Sequence, residues 1–450
     1  MKRSRLSAAA ALAALLSGCA GGSAVTPTAS APNAPESQPR SASVIATASV
    51  PQYHAIALAS LGGTVASGIS ENEQNFVSGY SLLAGNATLH AALWRPSSTA
   101  AVDLMTLGGT NSAVEWPNHL AGHVVGISQT ATTDPLGEQW SCSYPAGGGF
   151  LPYTGQECRG FVWANGAMRQ LGTLGGNNSF ASGSNESGQI VGWAETAVHD
   201  ATCVAPQVLQ FEAVEWNRLG QAMPLRPLRG DPDSAATAIN DTGNVVGISG
   251  ICQVAVGRLS AEHMLLWHDG IPMKLPTLGG TGFNTPEMIN DENTVVGFAD
   301  RPGDKGGSNF NGHAFEWTQA GGTVDLGTLS GDAVSFAYSV NNRGQVVGQS
   351  CTPGCAASRA FLYQNGQMYD LNGLLDAASA GFNLIYANDV NDEGQITGLA
   401  IDPGGAIVGF RLVPTGTMTS QSERAVTLRP RNTLNYHVHM GPFGRPIVTR

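Results

Sequence analysis

The chain has 450 residues, of which 58 are glycine and only 12% are charged, and its net charge is −11. So little charge and so much glycine exclude a body of long solvated helices and favour many short strands and turns. The acidic balance also excludes nucleic acid as the expected partner, because phosphate recognition needs a basic face.

Residues 1–18 read as an export signal. Lys2, Arg3 and Arg5 precede an apolar run at 6–16 that is shorter than the roughly 20 residues a membrane-crossing helix needs. Losing those three basic residues takes the net charge to −14. The run ends in Leu16-Ser17-Gly18-Cys19, which resembles the bacterial lipobox. The resemblance implies cleavage before Cys19 and lipid on its thiol, with Ala20 favouring the outer membrane. Two or three acyl chains would make that anchor stable. After Cys19, residues 20–50 are rich in Ala, Ser, Thr and Pro. They read as a tether with a span of roughly 30 Å.

From there a repeat governs the chain. The motif G-[QN]-V-V-G and its variants occurs seven times, closing at Gly79, Gly126, Gly192, Gly247, Gly297, Gly348 and Gly398. The spacings of 47, 66, 55, 50, 51 and 50 residues suit one four-stranded blade per copy. Seven residues before each glycine stand Asn72, His119, Asn185, Asn240, Asn290, Asn341 and Asn391. Four residues before it every position is Gly or Asn, the types that tolerate positive φ. The pair predicts a tight hairpin in which the asparagine is structural rather than a ligand. An aromatic column follows, with Trp94, Trp163, Trp216, Trp267, Trp317 and Tyr363, and Leu412 in the seventh copy. One large ring per unit suits packing between neighbouring sheets. The expectation is an all-β, seven-bladed propeller over residues 51–414. The seventh unit has three strands of its own, so residues 53–58 supply the fourth and close the ring.

These motifs are similar to those of the HAF repeat family of extracellular proteins. The best copies are L-G-T-L-G-G at 171–176, G-Q-V-V-G at 344–348 and H-A-F-E-W at 313–317. The resemblance spans roughly residues 53–413 and implies an exported repeat protein without an assigned activity. The namesake histidine column reads His90, Arg159, Glu212, His263, His313, Arg359 and Val408. Such a mixture is no shared catalytic or metal position.

Within each unit, strands A to D alternate direction, so the B–C and D–A connections share one face. The long B–C insertions at 128–158, 195–210 and 249–260 lie there, and variable loops on a rigid scaffold are where function collects. All six cysteines besides Cys19 fall in B–C loops. The expected pairs are Cys142–Cys158, Cys351–Cys355 and Cys203–Cys252. No His/Cys set has zinc spacing, so no metal or cofactor is expected. Trp140, Tyr144, Phe150 and Tyr153 are candidate ligand-binding residues, and packing beneath their loop is the alternative. Asp231 and Asp233 fit either a calcium site or a solvated turn. The basic segment 415–450 reads as a loosely ordered tail carrying His437 and His439. No G-x-S-x-G, H-E-x-x-H or repeated S-x-D-x-G-x-T-W box is present. The expected function is a membrane-anchored, non-catalytic binding or scaffold module, with an extracellular glycan or protein as ligand. A propeller hydrolase or lyase acting at the same face is the alternative.

Overall fold

The computed structural model describes residues 49–118, 122–138, 142, 151–252, 263–303, 311–419, 437–440 and 446–449. Seven antiparallel four-stranded sheets form a seven-bladed β-propeller. Blade 1 shows the plan, with strand A at Gly62–Glu71, B at Val77–Leu83, C at Leu89–Trp94 and D at Ala101–Asp103. From blade 3 round to blade 1 the A strands abut one another about the axis. The D strands form the rim. Among the described residues no helix is long and apolar enough to cross a membrane.

The repeated motif glycine has a steric cause. In every blade, a Cβ on that residue would run into the carbonyl oxygen of an A-strand residue, for example Ala235 opposite Gly247 or Phe336 opposite Gly348. In most blades the A strand bulges directly after the residue paired with this glycine, as at Ala236/Ala238 and Pro286/Met288. The bulge presses the two backbones together, and only glycine leaves room.

The turn column adopts the expected left-handed conformation, with φ of 62° at Asn75 and Asn293 and between 73° and 83° at the five glycines. The aromatic column is core. Trp94, Trp216 and Trp267 are buried, and their indole N–H groups donate to Ala59, Gly172 and Arg226 carbonyls in the D–A connections. Each ring therefore fills the space between blades and holds the chain that enters its own blade.

The ring closes through the chain's first strand. In blade 7 the order is Ser49–Leu58, Ile407–Thr419, Ile396–Ile401 and Asn383–Val390. The closing pair is longer than the sequence suggests, because Ser49 already pairs with Thr419, with a register shift between Gln52 and Tyr53. Residues assigned to the tether and to the tail thus pair with each other. Farther on, His437–Met440 and Pro446–Thr449 form a hairpin within the segment expected to be loose. At the seam, Arg411 pairs with Glu71 at 2.7 Å, and its guanidinium also donates to the Pro96 and Asn75 carbonyls. Burial lifts the Glu71 carboxyl to about 8 despite the arginine.

Candidate functional site

The A–B turn face is bound into a hydrogen-bonded belt. In the hairpins of blades 1 and 3 to 7 the asparagine Oδ1 accepts the backbone N–H four residues on, as in Gln189 N to Asn185 and Asn244 N to Asn240. Its Nδ2 donates to the carbonyl of the corresponding asparagine in the next blade. These links run Asn185 to Asn240 (2.9 Å), to Asn290 (2.8 Å), to Asn341 (3.0 Å), to Asn391 (2.9 Å) and to Asn72 (3.3 Å). A second belt lies one residue on. The N–H groups of Glu186, Asp241, Asp291, Asn342 and Asp392 donate to side-chain oxygens of Asp241, Asp291, Asn342, Asp392 and Glu73. The asparagines are structural, as their turn position implies. Inside the belts lies a depression of about 290 Å³ with Ile239, Met288, Val340 and Val390 among its apolar lining residues.

One indole links blades across the ring. After the short A strand of blade 2, Trp116 lies buried, and its indole N–H donates to Glu287 Oε2 in strand A of blade 5 at 2.9 Å. Blades 2 and 5 are not neighbours, so the indole reaches across the ring. Phe180 and Trp193 of blade 3 pack edge-on against it, with centroids at 5.4 and 5.9 Å. Trp116 stands outside the aromatic column and the repeat gives no hint of it.

On the opposite face, two of the expected disulfides form. Cys142 joins Cys158 within the blade 2 insertion, and Cys203 joins Cys252 between blades 3 and 4, with Cα atoms 5.4 and 4.7 Å apart. Such bonds fit an oxidising compartment. The third expected pair does not: Cys351 and Cys355 are free thiols. Cys355 ends the short 3-10 turn Pro353–Cys355 at φ 49°, with its N–H on the Thr352 carbonyl. That turn brings the thiols together as a hydrogen-bonded pair, and this contact and then burial push the Cys351 thiol upward.

Of the four candidate aromatics, Trp140, Tyr144 and Phe150 lie outside the described residues, as do Cys19 and residues 20–48 of the tether. Tyr153 is described and is 53% exposed. Leu136 in the same insertion, Val198 and Val204 in blade 3, and Ile251 in blade 4 are exposed as well. Val204 and Ile251 each adjoin a half of the Cys203–Cys252 bond.

Beneath these loops lie carboxyl groups without a local sequence signature. Asn178 is their hub. Its Oδ1 accepts the Cys158 N–H, and its Nδ2 donates to Asp134 and Glu195. Glu138 accepts the N–H groups of Val208 and Leu209, tying the blade 2 insertion to blade 3. Burial, then the neighbouring Glu138, pushes Glu195 up to about 7. Nearby, Asp233 accepts the Phe211 N–H and faces Asp200; burial, then that contact, raises it to about 9. Asp231 turns elsewhere, accepting from Ser249 and contacting His263 at 2.8 Å. Asp231 and Asp233 therefore do not converge on one point as a calcium pair would. Asp233 does lie near Cys203 and Cys252. Their bond leaves neither sulfur as a thiolate ligand.

The histidine column also has a structural account. His90 pairs with Asp103, His313 with Asp325 and Arg359 with Asp370, each joining strand C to strand D. The partner acid is visible in A-V-D-L, T-V-D-L and M-Y-D-L.

No family model and no curated protein matches this chain. Among solved structures, one described as "Structure of YjhT" aligns at 11% identity with a TM-score of 0.33, covering 69% of this chain and 99% of that chain. The propeller is established by the seven sheets themselves.

Proposed function

We propose that the chain is an exported, lipid-anchored protein of the HAF repeat kind that binds an extracellular protein or glycan through its B–C and D–A loop face, without catalysis. One observation carries the reading: Leu136, Tyr153, Val198, Val204 and Ile251 are exposed on insertions that disulfides hold in place. Apolar side chains held in water on stapled loops suit a contact surface. The same face argues for binding over hydrolysis. Glu195 and Asp233, whose raised pKa would suit a general acid, are each 0% exposed and out of a substrate's reach. The lipobox at Cys19 and the two cystines support export.

The test is glycan-array and pull-down screening of the full chain carrying Cys19→Ala, which keeps it free of lipid. Saturable retention of one ligand, weakened at least tenfold by Val204→Asp, is expected. Depolymerisation of a polysaccharide without retention would overturn the reading, as would retention that Val204→Asp and Tyr153→Ala leave unchanged. Labelled fatty acid should enter the wild-type chain and not Cys19→Ala.

A further inference from the structure

The A–B turns at 72–75, 185–188, 240–243, 290–293, 341–344 and 391–394 carry seven acidic residues and one basic residue, Arg343. Five of the acids, Glu73, Glu186, Asp241, Asp291 and Asp392, line the depression of about 290 Å³ together with Ile239, Met288, Val340 and Val390. The apolar residues come one or two positions before each turn asparagine, inside strand A, and the acids come one position after it. The depression therefore has apolar walls and an acidic rim. Glu186 and Asp241 are exposed, and Asp291 and Asp392 are half-buried. Among the described residues no cation pairs with any of these four. Such a shape fits an arginine, whose stem covers apolar surface while its guanidinium meets carboxylates at the edge.

The chain itself brings arginine to this face. Strand C of blade 7 passes the A–B turn of its own blade, where a Cβ on Gly394 would stand 3.8 Å from Pro414, and runs on to Thr419. Strand C lies two strands from strand A. Its end is thus roughly 10 Å from the inner strand in the hydrogen-bonding direction. Residues 420–436, outside the described residues, hold Arg424, Arg429 and Arg431 against Glu423. Ten residues span up to about 33 Å, so Arg429 has ample chain to reach the depression. The tether also meets this face, because Ser49 pairs with Thr419, but residues 20–48 hold one acid and one base, Glu36 and Arg40, and bring no net charge. We propose that segment 420–436 folds back across the A–B turn face and seats Arg429 and Arg431 in the depression. The seat joins the end of the chain to several blades at once and covers apolar walls that the ring leaves open. It lies on the face opposite the long insertions and stands whether or not that face binds a ligand.

The experiment uses the full Cys19→Ala chain with disulfides intact, carrying Arg429→Lys and Arg431→Lys, and couples amines to carboxylates with a zero-length carbodiimide at low salt. Peptides joining position 429 or 431 to Glu186, Asp241, Asp291 or Asp392 are expected within one chain, and about 1 M salt should cut their yield at least tenfold. Trypsin gives a second readout on the chain that keeps its arginines. Cleavage after Arg431 should quicken at least tenfold when Asp241→Asn and Asp291→Asn are combined, since each retains the Oδ1 that the belt uses. Glu212→Gln, near the loop face, should leave the rate unchanged. The absence of rim peptides overturns the proposal, as does coupling to loop-face acids as often as to the rim. So does coupling found only between isotope-labelled and unlabelled chains, which would seat a second copy's segment there, or a cleavage rate that the rim variants leave unchanged.

Discussion

Replacing Asn240 by alanine tests whether the asparagine belt holds the blades together. Asn240 is 4% exposed. Its Nδ2 donates to the Asn290 carbonyl at 2.8 Å, and its Oδ1 accepts the Asn244 N–H at 2.9 Å. Alanine removes both of these bonds, one within the hairpin and one between blades, at about 1 kcal/mol each; the further bonds from the Thr242 hydroxyl and to Asn293 Oδ1 are lost as well and add less, because solvent reaches both partners. It also leaves the Asn244 N–H without its side-chain acceptor, and an unmet buried donor costs a further 1–3 kcal/mol or so. The expected loss is about 2–4 kcal/mol, read as a fall in the urea midpoint at unchanged slope with the disulfides kept oxidised. Asn240→Asp separates the two roles. The aspartate keeps the Oδ1 acceptor but sets a second bare oxygen against the Asn290 carbonyl. It should cost about 2 kcal/mol at pH 7 and recover on acidification, when the protonated carboxyl can donate. An alanine variant within about 0.5 kcal/mol of wild type, or an aspartate variant indifferent to pH, would refute the belt as a source of stability.

Three further outcomes follow from the same geometry. Gly247→Ala should destabilise by about 2 kcal/mol or more in chemical denaturation, because its Cβ meets the Ala235 carbonyl and a bulged strand cannot retreat. Gly270→Ala, at a turn where a Cβ meets nothing, is the contrast: its cost should be confined to its φ of 71°. Asp233, raised from its ordinary value to about 9, binds a proton in the folded chain that the unfolded chain has already released. Its contribution is thus fully present below about pH 4 and lost as the pH rises towards 9. Asp233→Asn keeps an acceptor for the Phe211 N–H, so its thermal midpoint should gain on wild type steadily from pH 5 to 9; a constant difference would defeat the assignment. Deleting residues 49–58 removes the closing strand and bares the edge of Ile407–Thr419, so the truncated chain should form dimers or larger species by light scattering.

Much of this architecture was legible because the repeat samples each constraint seven times. A lone glycine before Val-Val would say little, but seven Gly or Asn at one register mark a positive φ, and the structure places them there. The Trp column and the closing strand were visible for the same reason. What escaped is what occurs once. Trp116 crosses to Glu287, 171 residues away, and no spacing predicts it. Ser49 and Val50 read as the end of the tether because the Ala, Ser, Thr and Pro content up to them suits a linker, and they become strand only when 418–419 lies beside them. Cys351 and Cys355 looked paired by proximity along the chain, but the 3-10 turn between them sets their thiols side by side without a bond. Glu138 and Glu195 carry charge, which in a sequence suggests a solvated surface. Their burial follows from the Gln207, Asn178 and backbone donors that meet them after folding. One missed signal was repeated: Ser112, Ser179, Ser234 and Ser335 accept N–H groups from strand C of the preceding blade.

That serine column explains why the two faces diverge. On the A–B side the belts run through the turn tips from blade 3 round to blade 1, so lengthening one of these hairpins would break its links to its neighbours. The turns are consequently uniform. On the other side the inter-blade bonds stop short of the tips: Ser179 and Asn178 hold Gly160 and Cys158 at the start of strand C, and nothing in the repeat constrains what precedes them. Loops there can lengthen without disturbing the ring. Each long loop then needs restraints of its own, since extra chain costs entropy to order. Blades 2 to 4 supply them with one bond inside an insertion, one between insertions, and the Glu138 contacts to Val208 and Leu209. Disulfides and buried acids occur together because both fix added loops on the one face the repeat leaves free.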